Sequence, residues 1–78
     1  MGSKMRLIWD FRGLKALPRA ENYKGTLNEF LVREKYSYKH IEVKQYSMFY
    51  TVVQLVVDIE DVEHFRKILK PERGEGIE

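Results

Sequence analysis

Two histidines, His40 and His64, are the side chains of this sequence best suited to acid–base chemistry or metal binding at neutral pH. A zinc site needs three or four ligands, usually including local pairs, and the chain contains no cysteine. Glu60 lies four residues before His64, which places both on one helical face, and Glu63 adjoins them. That pattern is equally the composition of an ordinary solvated helix face. The sequence therefore predicts no metal site and no cofactor.

Nucleophilic catalysis needs a nucleophile, a base and a group that orients the base. The hydroxyl candidates lie outside any glycine-rich turn that would expose a nucleophile, and they are Ser37, Ser47, Thr26 and Thr51. An enzyme remains an alternative only as a small dimer with a pocket at the subunit interface. The residues that would serve such a pocket are Asp10, Arg12, His40 and Tyr50.

A loop rich in cations precedes the first helix and is a candidate anion-binding site. A glycine, three basic side chains and a helix N-terminus together favour binding of an anion. These residues are Arg12, Gly13, Lys15 and Arg19. The same residues also fit an ordinary solvated loop.

The octamer K-Q-Y-S-M-F-Y-T, Lys44 to Thr51, resembles the RNP1 pattern of RNA recognition motifs. Lys44 and Tyr46 match that pattern, whereas Gln45 replaces its glycine and Met48 replaces its second aromatic residue. Aromatic side chains on the strands of such domains stack on RNA bases. The resemblance implies binding of RNA or single-stranded DNA on a sheet face as an alternative function.

The chain has 78 residues, of which 44% are hydrophobic and 33% charged, so it has room for one small globular domain. Its formal charge of +2 is split unevenly, because residues 1–39 carry +5 and residues 40–78 carry −3. The absence of cysteine and of any signal or membrane segment favours a cytoplasmic protein without a membrane partner. Residues 1–4 resemble a vector-derived remnant.

Hydrophobic periodicity predicts three strands and two helices between residues 5 and 70. Residues 5–11 alternate as a strand, an amphipathic stripe follows Pro18 to near Lys35, and residues 38–44 alternate weakly. The most strand-like segment is 48–57, after which Asp58 begins a second helix that Pro71 ends. Residues 71–78 are polar and contain glycine, which predicts a flexible tail.

The resulting β-α-β-β-α order predicts an α+β fold with a three-stranded antiparallel sheet in the order 1-3-2 and both helices on one face. This topology resembles the ferredoxin-like motif without its last strand. The resemblance concerns element order alone and implies no function.

The third strand is apolar on both of its faces, which predicts an uncovered apolar strip opposite the helices. A domain of this size has a small core, and oligomerisation is a common way to stabilise such domains. We therefore expect a homodimer that assembles through the open sheet face or the free edge of the first strand. The expected function is that of a small homo-oligomeric binding or assembly module. The predicted interface consists of Ile8, Met48, Tyr50, Val52, Gln54 and Val56.

Overall fold

The computed structural model describes residues 3–36, 38 and 40–77, including only the backbone of Ile77. The described chain contains four strands, two α-helices and one short 3₁₀-helix. In chain order they are β1 (Lys4–Arg12), α1 (Ala16–Arg33), β2 (His40–Ser47), β3 (Tyr50–Asp58), the 3₁₀-helix (Ile59–Asp61), α2 (Val62–Leu69) and β4 (Arg73–Ile77).

The four strands form one antiparallel sheet in the order β2-β3-β1-β4. The α+β class is confirmed, and β3 lies between β1 and β2 as expected. The expected count of three strands is wrong, because β4 pairs with β1 along its whole length. Since β1 now has a partner on each side, it offers no free edge for dimerisation.

Strand β4 occupies residues that the sequence predicts to be a flexible tail. Its sequence, R-G-E-G-I, contains two glycines, which are depleted in strands. The register places Gly74 opposite Leu7 and Gly76 opposite Met5. A β-carbon at Gly74 would lie 3.2 Å from the Met5 methyl carbon, so the glycine allows this close approach. Backbone pairing with β1, rather than apolar side chains, therefore holds β4 in place.

The hydrophobic core lies between one face of the sheet and both helices. Strands β1 and β3 contribute alternate residues to it, because successive side chains of a strand point to opposite faces. Phe65 of α2 is among the largest fully buried side chains, and the Trp9 indole N–H donates a hydrogen bond to the Leu69 carbonyl at 3.3 Å. The buried cluster comprises Leu7, Trp9, Ala20, Leu27, Leu31, Val53, Leu55, Val57, Val62 and Phe65.

The helices begin and end close to their predicted limits, with two differences. Helix α1 starts two residues before Pro18, so the proline lies in the first turn, where its missing N–H costs nothing. A 3₁₀-helix separates Asp58 from α2, and the Asp58 side chain makes no capping hydrogen bond. Among the described residues, no helix is long and apolar enough to cross a membrane.

The connection between β2 and β3 differs most from expectation. The pairing is irregular between Gln45 and Ser47, and β2 continues to Ser47. The turn therefore falls at Met48 and Phe49, which are 71% and 53% exposed. The sequence predicts a strand over residues 48–57, and this start is wrong, because β3 begins only at Tyr50.

Gly25 lies in the middle of α1, exposed to solvent, and a β-carbon there would meet no atom within 4 Å. Gly25→Ala should therefore raise the free energy of unfolding by up to about 1 kcal/mol, because alanine restricts the unfolded chain and favours the helix. Urea denaturation measures this change. Gly13→Ala is the matched control and should destabilise the protein, since Gly13 has φ +106°. Equal effects of the two substitutions would contradict this reading of the helix.

Candidate functional site

The sheet face opposite the helices carries most of the residues singled out from the sequence. The β1–β3 register places Arg12 opposite Tyr50, Asp10 opposite Val52, and Ile8 opposite Gln54. These positions alternate with the core residues of the same strands, so their side chains lie on the open face. Pairing of β1 with β3 thus sets the geometry of the site.

The predicted apolar strip on this face is interrupted. Ile8, Val52 and Gln54 are 2%, 0% and 5% exposed. The register places Arg73 beside Ile8 and Lys44 beside Val52, so long polar side chains flank both. Of the six predicted interface residues, Tyr50 and Val56 are partly buried, and Met48 is exposed in the β2–β3 turn.

A hydrogen-bonded network joins three strands at one end of the open face. The Tyr50 hydroxyl donates to Asp10 Oδ1 at 2.5 Å, and Arg73 Nη2 donates to the same oxygen at 3.0 Å. The Arg73 guanidinium also lies 2.9 Å from the Tyr50 hydroxyl oxygen. The Asp10 side chain is only 13% exposed, so Arg73 supplies the cation that its partly buried carboxylate needs.

An aromatic stack flanked by cations lies beside this network. The rings of Tyr46 and Tyr50 are stacked, with centroids 5.4 Å apart and planes inclined by 27°. The Arg12 guanidinium carbon lies 4.4 Å from the Tyr50 ring centre, and the Lys44 ammonium lies 5.6 Å from the Tyr46 ring centre. We call these four residues the cation–tyrosine stack. It presents aromatic surface and positive charge together.

The Asp10 carboxylate raises the pKa of Tyr50 above its ordinary value. The hydrogen bond to Asp10 is the main cause, partial burial and the carboxylate charge add to it, and Arg73 and Arg12 oppose it. A hydrogen bond donated to an anion favours the protonated phenol. The Tyr50 hydroxyl therefore remains the donor in its hydrogen bond to Asp10.

The candidate enzyme residues converge only in part. Asp10, Arg12 and Tyr50 lie together, but His40 lies opposite Val56 and contacts Glu42 at 3.1 Å. Val56 is four residues from Val52 along the strand, a separation of about 13 Å at 3.3 Å per residue. This distance leaves the cluster without an imidazole base.

The other histidine and the metal candidates remain apart. His64 lies 2.9 Å from the Tyr36 hydroxyl on the helical side of the molecule. Glu60 belongs to the 3₁₀-helix that precedes α2. Within the part of the chain that the structure describes, no group of three or more His, Asp or Glu side chains is placed to hold a metal ion.

The candidate anion-binding residues do not form one cluster. Arg12 lies on the open face against Tyr50, whereas Lys15 and Arg19 are exposed at the start of α1. The Gly13 carbonyl accepts a hydrogen bond from the Ala16 N–H. Arg12 is therefore part of the cation–tyrosine stack, and the loop keeps only two of its three basic side chains.

Sequence reasoning missed Arg73, which completes the network. Its segment lacks the alternating apolar residues by which strands are recognised. The RNP1-like octamer contains both Tyr46 and Tyr50, although only Tyr46 occupies an aromatic position of that pattern. No family model, curated protein or solved structure matches this chain.

Asp10→Asn should return the pKa of Tyr50 toward its ordinary value of about 10, because it removes the charge that the phenol faces. NMR of ¹³C-labelled tyrosine, with Tyr50→Phe to assign the signal, measures that pKa. The hydrogen bond of the protonated Tyr50 phenol contributes all of its stabilisation below pH about 10. This stabilisation is lost as the pH rises through the pKa of Tyr50 in the folded state, which is higher. Glu75→Gln is the control on the same face, and an equal effect from it would contradict the assignment to Asp10.

Proposed function

We propose that the protein binds single-stranded nucleic acid through the cation–tyrosine stack. The stacked rings of Tyr46 and Tyr50, flanked by Arg12 and Lys44, are the observation that carries this proposal. Unpaired bases stack on aromatic side chains, and cations beside the rings bind the phosphates. Tyr46 is 53% exposed, so its ring is accessible to a base.

The charge around the stack supports a polyanionic ligand. We call residues 11–19 and 44–51 the loop end of the molecule, since a hydrogen bond from the Gly13 N–H to the Phe49 carbonyl joins the two segments. The loop end contains four Lys and Arg side chains and no Asp or Glu. Asp10, the carboxylate nearest the stack, is paired with Arg73. Phosphates approaching the rings therefore meet net positive charge.

The element order also supports the proposal. The order β-α-β-β-α-β, with β1 and β3 at the centre of the sheet, is that of the complete ferredoxin-like motif. We therefore also propose that the chain has a ferredoxin-like fold. RNA recognition motifs use the open sheet face of this topology to stack bases. In the present chain one ring lies on central strand β3 and the other on edge strand β2.

Tyr46→Ala should weaken binding of a labelled single-stranded oligonucleotide of about ten nucleotides by roughly 5- to 150-fold, the effect of losing one stacked base. Fluorescence anisotropy at low salt measures this change. Arg12→Gln and Lys44→Gln should each reduce the dependence of log affinity on log salt by about 0.7, the value for one phosphate contact on a single strand.

Val32→Ala is the matched control for Tyr46→Ala, because Val32 is 65% exposed but lies on α1. It should leave binding unchanged. Wild-type protein that binds no oligonucleotide at low salt, or Tyr46→Ala protein that binds as tightly as wild type, would refute the proposal.

Homodimerisation is a second candidate function, supported by the exposed apolar side chains of the loop end. Leu14, Met48 and Phe49 are 79%, 71% and 53% exposed. Exposed apolar clusters mark interaction surfaces, and a small domain benefits from burying them.

A homodimer predicts a mass of twice 9.4 kDa in sedimentation equilibrium at micromolar concentration. Met48→Ser should then shift the equilibrium toward monomer, because it removes apolar surface from the loop end. Ile59→Ser is the control, since Ile59 is 50% exposed in the 3₁₀-helix. A constant monomer mass over the whole concentration series would exclude this candidate.

A further inference from the structure

We infer that the bound strand leaves the open face at Tyr46 and passes over the β2–β3 turn, where Phe49 provides a third stacking ring. The inference rests on the proposed function and specifies its ligand as a short unpaired segment of about three nucleotides, which reaches from the Tyr46–Tyr50 stack to Phe49. The inference therefore predicts that the nucleic acid does not extend across the whole sheet.

Both backbone polar groups of Phe49, the N–H and the carbonyl, form hydrogen bonds. Its N–H donates to Ser47 Oγ at 3.1 Å, and its carbonyl accepts from the Gly13 N–H at 2.9 Å. The ring nevertheless remains 53% exposed. An exposed ring on a backbone that is already ordered loses little conformational entropy when a ligand stacks on it.

Phe49 is also adjacent in the chain to the rings of the stack. It directly precedes Tyr50 and lies three residues after Tyr46. Lys15, at the other segment of the loop end, adds a cation beyond the open face. The aromatic and basic character of the open face thus continues around the turn.

The opposite end of the open face does not favour a nucleic-acid strand. On the strand register this part of the face carries three carboxylates, Glu42, Asp58 and Glu75, together with two basic side chains, Lys4 and Arg6. Glu42 contacts His40 at 3.1 Å, and Glu75 contacts Arg6 at 3.2 Å. Acidic and basic side chains are mixed there, so this part of the face offers phosphates no excess of positive charge, unlike the loop end. The contrast with the carboxylate-free loop end directs the strand over the turn.

The inference is tested by measuring affinity against oligonucleotide length, from two to six thymidines, for wild type and Phe49→Ala. Wild-type affinity should rise about tenfold from two to three or four nucleotides and then level off, apart from the statistical gain of longer chains. Phe49→Ala should match wild type on the dinucleotide and lose this rise. Lys15→Gln should lower the salt dependence only for the longer oligonucleotides.

Tyr46→Ala and the wild-type protein distinguish failure of the inference from failure of the proposed function. If Tyr46→Ala loses binding but Phe49→Ala behaves as wild type at every length, the path over the turn is refuted and the stack stands. If wild type binds no oligonucleotide, both fail.

Leu14 and Met48 also give the loop end aliphatic surface, which an anionic bilayer would accept. Vesicles containing phosphatidylserine serve as the competing probe. Binding of vesicles that Phe49→Ala abolishes, together with unchanged oligonucleotide binding by that variant, would assign the turn to a lipid surface and overturn the inference.

Discussion

The pairing of β1 with β3 is the interaction on which both the core and the candidate site depend. Their register joins every residue of β1 from Lys4 to Arg12 to a partner on β3. Because side chains alternate, the same ladder sends Leu7 and Leu55 into the core and brings Arg12 beside Tyr50 on the open face. A shift of one residue would exchange the two faces. Burial of the apolar face therefore specifies the position of the polar one.

Strand β4 links completion of the fold to the electrostatics of the site. It contributes Arg73, which pairs with the Asp10 carboxylate and contacts the Tyr50 hydroxyl. Without that cation, Asp10 would place a partly buried negative charge beside Tyr50 with no guanidinium to compensate it. Burial lowers the pKa of Arg73, but Asp10, Tyr50 and Glu75 raise it more, so the net shift is upward and the guanidinium stays charged.

The elements with strong hydrophobic periodicity could be predicted from the sequence. The run of apolar residues over 48–57, which covers both faces of the strand, predicts a central strand, and the spacing of Leu27 and Leu31 predicts one buried face of α1. Strand β4 could not be predicted, because its stability comes from backbone pairing with β1, which leaves no pattern in side-chain type.

The site was predicted less completely than the fold, for two physical reasons. Tyr46 and Tyr50 could be found through the RNP1-like octamer, but Arg73 lies in a glycine-containing segment. The exposure of Ile8 and Val52 depends on which side chains flank them across the sheet, and a single sequence does not reveal cross-strand neighbours. The sequence therefore predicts Ile8 and Val52 to be exposed, although neighbouring side chains cover both.

The separation of β1 and β4 along the chain has a consequence for folding kinetics. Their ladder joins the two ends of the described chain, whereas β2 and β3 form a local hairpin. Closing a long loop before any contact forms is entropically unfavourable, so pairing of distant segments is slow. During that interval β1 exposes unpaired backbone groups to other chains. Gly74, which lets β4 lie close to β1, and Gly76 also give the strand few apolar contacts to hasten docking, so this edge is where misassembly would begin.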